Sequence, residues 1–215
     1  MNFSTLFLDL DDTVYPAESG LWGAIGSRIN QFMIEEVHIA PQGVSELRER
    51  LFGQYGTTMR GLIMEYGISA SDYLAYVHDI PLRNYIQEDP ALRVALIGLN
   101  QRLVVFTNAD SAHAHRVLKI VGIDDLIDQI IDVVSVDPYC KPHARAFEKA
   151  ISLAGVKDAG EVAFFDDNVY NLKAARDMGF YTVRVGREAE QPEYHTSITR
   201  LSELHRVIKA ENNYE

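Results

Sequence analysis

The chain has 215 residues, 47% of them hydrophobic and 24% charged, the composition of an ordinary globular protein with one sizeable core, or a core carrying a smaller inserted domain. A formal net charge of -11 excludes a nucleic-acid polymer as partner, since that grip needs a basic patch. An anionic small molecule remains compatible, because a metal ion and one or two placed cations handle a phosphate locally.

The single cysteine, Cys140, allows no internal disulfide and fits a reducing cytoplasm. The opening stretch is apolar but lacks a basic flank, and Asp9, Asp11 and Asp12 interrupt it, so no signal peptide is expected. No run is apolar for the ~18 residues a membrane span needs.

In chain order, Thr5-Leu6-Phe7-Leu8 reads as a buried strand that runs into Asp9-Leu10-Asp11-Asp12-Thr13. Residues 16–88 change character. Trp22, Ile25, Ile29, Phe32 or Met33, and Val37 recur at helical spacing, further helical stretches follow near 43–54, 57–66 and 71–79, and no strand is evident. This predicts an all-helical cap, with residues 1–15 and 89–215 forming the catalytic core. Within the cap, Tyr55 to Leu62 carries two glycines and Arg60 amid helical sequence, a pattern that fits a substrate loop or an interhelical turn.

Strands and helices then alternate. Leu103–Phe106 leads to Thr107-Asn108 and a helix over 111–121, with Ala112, His115, Val117, Leu118 and Val121 on its apolar side. Ile130–Val134 precedes Lys141-Pro142, which opens a helix over 143–154. Val162–Phe165 leads to Asp166-Asp167-Asn168 and a helix over 169–178, and Tyr181–Val185 is a fifth strand. Gly122, Gly155 and Gly179 sit where a left-handed cap stops each helix. Beyond Arg187 a short packed helix and a frayed tail are expected. The alternation predicts a parallel α/β sheet.

Ligands of such sheets bind beyond the carboxyl ends of the strands. There the sequence delivers carboxylates, a hydroxyl, an amide and one lysine. Phosphoryl transfer needs an in-line nucleophile and neutralisation of the equatorial oxygens. Asp9 can attack to give an acyl phosphate, while Asp11, two residues on and on the same side, handles protons. Asp9 with a carboxylate from Asp166-Asp167 suits Mg²⁺. Thr107, Asn108 and nearby backbone amides can hold phosphoryl oxygens, and Lys141 supplies positive charge. Singly, each of these pairs is an ordinary turn or cap; their ordered occurrence after four apolar strands is what carries the reading. The seven histidines are scattered, and His113 and His115, two apart on a helix, cannot face one metal together. Cys140 reads as a small packed residue.

These four motifs, the last extending through Val169-Tyr170-Asn171, resemble those of the haloacid dehalogenase-like hydrolases. The resemblance implies a Rossmann-like core with an inserted helical cap and a Mg²⁺ held by Asp9, the backbone carbonyl of Asp11 and Asp167, with Asp166 in support. Asp12-Thr13-Val14-Tyr15-Pro16, Tyr55-Gly56-Thr57-Thr58-Met59-Arg60-Gly61-Leu62, Thr107-Asn108-Ala109 and Cys140-Lys141-Pro142 are similar to the pyrimidine 5'-nucleotidase branch. That branch implies a nucleoside 5'-monophosphate as the small phosphorylated partner, with Tyr55 and Arg60 as substrate-binding residues; Asn84 and Tyr85, near the returning hinge of the insertion, are lesser candidates. One departure is Asn171, where many family members carry an aspartate.

A sugar-phosphate phosphatase and a phosphomutase are the alternatives within the enzyme class. A dehalogenase normally lacks the second aspartate, so Asp11 argues against it. From another class, a receiver-like signalling module also sets aspartates, a threonine and a lysine around Mg²⁺, but its acid pair comes early and its phosphoacceptor lies on a middle strand.

Overall fold

The computed structural model describes residues 3–186 and 191–211. Six strands form one parallel sheet: β1 (Thr5–Leu8), β2 (Arg102–Phe106), β3 (Gln129–Ile131), β4 (Val162–Asp166), β5 (Tyr181–Val185) and β6 (Thr196–Ile198), in the order β3-β2-β1-β4-β5-β6. The α/β, Rossmann-like class expected from the sequence is the one observed.

The order reverses at β1, which pairs with β2 on one side and β4 on the other, Leu8 lying opposite both Val105 and Phe165. Every residue of β1 and of β4 is buried, because a central parallel strand is covered on both faces. Phe7, Phe106, Phe147, Phe164 and Phe180 meet in the core on one side of the sheet.

The helices are α1 (Leu21–Glu35), α2 (Val44–Tyr55), α3 (Thr58–Tyr66), α4 (Ala70–Val77), α5 (Pro90–Ile97), α6 (Ser111–Val121), α7 (Ala144–Ala154), α8 (Val169–Asp177) and α9 (His205–Glu211). The chain divides into two compact units, Gly20–Tyr85 and the remainder. The first is helical and holds α1 to α4, with Ile25, Ile29, Phe32 and Met33 buried and Phe32 edge-on to Tyr73.

Several sequence expectations need correction. Trp22 is 48% exposed; the buried stripe of α1 starts instead at Leu21, one residue and about 100° away around the helix. The apolar side of α6 carries His113 and Ala114 rather than Ala112 and His115, which are exposed. The third strand stops at Ile131, since the Asp132 carboxylate accepts from Ser111 N (2.9 Å), Ser135 N (2.8 Å) and Ser135 Oγ (2.5 Å), a local turn that competes with the ladder. Lys141-Pro142 lies in the turn before α7, whose N-cap is His143. Strand β6 was not expected, being three residues long with the polar sequence Thr-Ser-Ile. The short C-terminal helix is present as α9, and the tail beyond Glu211 lies outside the described residues.

In the Tyr55 to Leu62 segment an interhelical turn at Gly56-Thr57 joins the end of α2 to the first residues of α3. Gly56 takes φ 83° as the C-cap of α2, and Thr57 caps α3 by accepting from Arg60 N at 3.1 Å. Gly61 is there for packing: a Cβ would lie 2.5 Å from the Leu51 side chain, so only glycine lets α3 approach α2 this closely. Among the described residues no helix is long and apolar enough to cross a membrane.

Candidate active site

The carboxyl ends of β1, β2 and β4 and the turn before α7 place Asp9, Thr107, Lys141 and Asp166 together. Lys141 is the hub. Its ammonium is 1% exposed and donates to Asp9 Oδ1 (2.7 Å), Asp166 Oδ2 (2.9 Å) and the Phe106 carbonyl (2.8 Å). All three of its protons are thus satisfied, as a buried cation requires. Burial pushes the Lys141 pKa down, but the carboxylates of Asp166 and Asp9 outweigh that and leave it raised, so Lys141 stays charged. Asp9, 7% exposed, has its pKa raised well above the ordinary carboxylate range, by burial first and then by Asp166 and Asp167 against the opposing pull of Lys141.

Asp166 and Asp167 have separate surroundings. Asp166 is fully buried and, besides Lys141, accepts from Asn168 N (2.8 Å) and from the Asn171 amide at 3.0 and 3.2 Å. Asn171 is therefore a donor to Asp166, a task an ionised aspartate could not perform. Asp167 is half-buried, and its pKa is pushed up to about 7 by burial, Asp166 and Asp12. Among the described residues, Asp9, Asp166 and Asp167 form the one acidic group able to hold a metal, with one oxygen from each within 4.8 Å of the others. An all-carboxylate donor set held this tightly fits a hard, oxygen-loving cation such as Mg²⁺.

Thr107 Oγ1 accepts from Ala109 N at 2.9 Å, which leaves its own proton for a further acceptor. Asn108 clasps the backbone of Lys141, its Nδ2 donating to the carbonyl (3.0 Å) and its Oδ1 accepting from the amide (2.9 Å). Its carboxamide thus positions Lys141, a contact the sequence reading did not contain. Cys140 is buried, with 2% exposure.

Two neighbours of Asp11 were also missed. Tyr15 Oη donates to Asp11 Oδ1 at 2.6 Å, and His113 Nε2 lies 3.3 Å from the same oxygen. Burial, then the Asp11 carboxylate, raise the Tyr15 pKa far above the usual phenol value, so it remains a donor. Counting back one helical turn of four residues from Val117 would have put His113 on the buried face.

The other predicted residues lie in the helical unit. Tyr55 Oη donates to Glu65 (3.1 Å), itself in a bidentate pair with Arg50 at 2.6 and 2.7 Å. Arg60 stands in the first turn of α3, where the helix dipole disfavours a cation. Asn84 is exposed in a single helical turn over Leu82–Asn84.

A family model described as haloacid dehalogenase-like hydrolase matches residues 3–179. The chain is 30% identical to Phosphate metabolism protein 8 of Saccharomyces cerevisiae across 80% of its own length and 58% of that protein's. It is 30% identical to the glyceraldehyde 3-phosphate phosphatase of Pyrococcus abyssi across 96% and 94% of the two chains. Among solved structures, β-phosphoglucomutase of Clostridium difficile superposes with a TM-score of 0.64 at 16% identity, covering 99% and 98% of the two chains.

Proposed function

Since the chain belongs to the haloacid dehalogenase-like hydrolase family, we propose that it is a Mg²⁺-dependent phosphomonoester hydrolase that works through an aspartyl phosphate on Asp9 and acts on pyrimidine nucleoside 5'-monophosphates. The observation that carries the phosphatase chemistry is the buried Asp9–Lys141–Asp166 network at the switch point of the sheet, with Asp167 beside it. The phosphatase names of relatives support the reaction class.

In the forward step Lys141 holds Asp9 Oδ1, and Oδ2 attacks phosphorus in line with the ester oxygen. The P–O ester bond breaks, and Asp11 gives its proton to the departing alkoxide. Asp11, now a carboxylate, takes a proton from water as that water attacks the aspartyl phosphate. The acyl P–O bond breaks, releasing inorganic phosphate and restoring the Asp9 carboxylate. Thr107 Oγ and backbone amides near Asn108 hold phosphoryl oxygens, and Asn108 keeps Lys141 in register. Asp9, Asp167 and the Asp11 carbonyl would hold Mg²⁺, which neutralises phosphoryl charge when bound.

Asp167, half-buried and not committed to Lys141, suits direct ligation; Asp166, with both oxygens bonded within the protein, suits support. Exhaustive chelation is expected to abolish phosphate release, with Mg²⁺ restoring it. Calorimetric titration is expected to show a larger loss of Mg²⁺ affinity in Asp167→Ala than in Asp166→Ala; the opposite order would exchange their roles.

Substrate choice we assign to Tyr55, whose ring offers a stacking face, and to Arg60, on the similarity of the Tyr55 to Leu62 stretch to the pyrimidine 5'-nucleotidase branch; Asn84 is a lesser contributor. Interactions with the non-reacting part of a substrate can orient the reacting part. Wild-type kcat/KM is therefore expected to favour UMP or CMP over AMP and sugar phosphates. Arg60→Ala should impair nucleotides far more than p-nitrophenyl phosphate. A wild type that ranks glyceraldehyde 3-phosphate first would instead support the second reading, a sugar-phosphate phosphatase, which the name of the Pyrococcus relative favours.

A further inference from the structure

Asp11 follows β1 in a turn, and on its own such a carboxyl would rotate about its side-chain bonds. Two residues from separate parts of the fold meet one of its oxygens. Tyr15, 3% exposed, closes back over the same turn, its hydroxyl 2.6 Å from Asp11 Oδ1. His113, 1% exposed, comes from the first turn of α6 and sets Nε2 3.3 Å from that oxygen, a donor in the Nε2–H tautomer. The place of His113 is fixed in turn by Asp110, the α6 N-cap, which accepts from the His113 backbone amide at 2.8 Å. The Asp11 side chain between them keeps 14% exposure, so the carboxyl is held by both residues and is not sealed from solvent.

We propose that Tyr15 and His113 are positioning residues for the general acid: both hold Asp11 Oδ1, which fixes the plane of the carboxyl and leaves the transferable proton on Oδ2, facing the leaving oxygen. An oxygen that accepts two hydrogen bonds is a poor place for the acid proton, so the proton resides on the other. The inference rests on Asp11 acting as general acid. The competing account is a purely structural one, in which the buried tyrosine and histidine merely satisfy their own polar atoms.

The two accounts differ in leaving-group dependence. A proton donor matters most when the departing oxyanion is a strong base, and kcat/KM reports the steps up to departure of that group. Phenyl phosphate and p-nitrophenyl phosphate are compared in Tyr15→Phe, His113→Leu, His113→Gln, Asp11→Asn and the combinations of each with Asp11→Asn, with thermal unfolding confirming the fold of every variant.

The expected result is a loss of about tenfold to a hundredfold in kcat/KM for phenyl phosphate in Tyr15→Phe and His113→Leu, and little change for p-nitrophenyl phosphate. His113→Gln, whose amide reaches a similar point, should recover part of the loss. Tyr15→Phe added to Asp11→Asn should cost nothing more, since the acid it orients is gone. Unchanged kcat/KM in Tyr15→Phe and His113→Leu, equal losses on both esters, or losses additive with Asp11→Asn would each overturn the proposal while leaving Asp11 as the acid. Full activity of Asp11→Asn on phenyl phosphate would remove the acid itself, a separate and recognisable failure.

Discussion

Asp9→Asn is expected to lower kcat by at least about 10⁴-fold, the order of effect seen when an enzymatic nucleophile is removed, while leaving the fold intact. The amide has nearly the shape of the carboxylate but cannot attack phosphorus. The backbone bond from Asp9 N to the Phe165 carbonyl (2.8 Å) is untouched, and Lys141 keeps Asp166 and the Phe106 carbonyl as partners. The raised pKa of Asp9 means that its charge, buried near two other carboxylates, costs stability in the metal-free protein. Neutralising it should therefore hold or raise the thermal midpoint. Phosphate release measured beside thermal unfolding checks both halves. A variant retaining a tenth of wild-type activity would exclude Asp9 as nucleophile.

Lys141→Met should harm folding and chemistry together. The side chains are similar in length, but the substitution leaves Asp9 and Asp166 facing each other in the interior without their shared cation. Breaking a buried ion pair by removing one partner typically costs about 3–5 kcal/mol, which for a chain of this size corresponds to a fall of roughly 10 °C in Tm. Activity should fall with it, because Asp9 loses the contact that directs it. Lys141→Arg should not restore function, since a side chain 1% exposed leaves no room for a planar guanidinium fork. The decisive comparison is Asp9→Asn with Lys141→Met. Of the two carboxylates that shared Lys141 it leaves only Asp166, still bonded to Asn168 N and the Asn171 amide, and should be more stable than Lys141→Met alone. Urea unfolding in the presence of chelator makes the measurement. A Lys141→Met stability within about 0.5 kcal/mol of wild type, the range of inconsequential surface substitutions, would contradict the account.

The central strands were legible because a doubly covered parallel strand is a largely apolar run; β1 has the bounds that its sequence suggests, as does β5, although Arg184 interrupts it. The acidic motifs were legible for a related reason, each being polar sequence placed directly after such a run. What escaped was information carried by contacts between distant segments. Asn108 clasping Lys141 joins residues 33 apart in sequence, and His113 meeting Asp11 joins residues 102 apart. Neither pairing leaves a periodic trace. Gly61 is a related case: its sequence left a substrate loop and an interhelical turn both open, and the contact that explains the glycine is Leu51 pressing on the backbone of the neighbouring helix. Strand β6 escaped because an edge strand of three residues has no apolar run to reveal it.

The strand order also bears on how the protein comes to be made. Thr5 to Leu8 pair on one side with residues 102–105 and on the other with residues 162–165. As the chain leaves the ribosome, β1 emerges long before β4, the second of its two neighbours. The helical unit, whose residues all lie within Gly20–Tyr85, can form during that interval, while the longer-range pairings that complete the central sheet come late. The Asp9–Lys141–Asp166 network is thus completed only when β4 arrives with Asp166 and Asp167. A nascent chain halted before residue 162 carries Asp9, Asp11 and Lys141 but has no site.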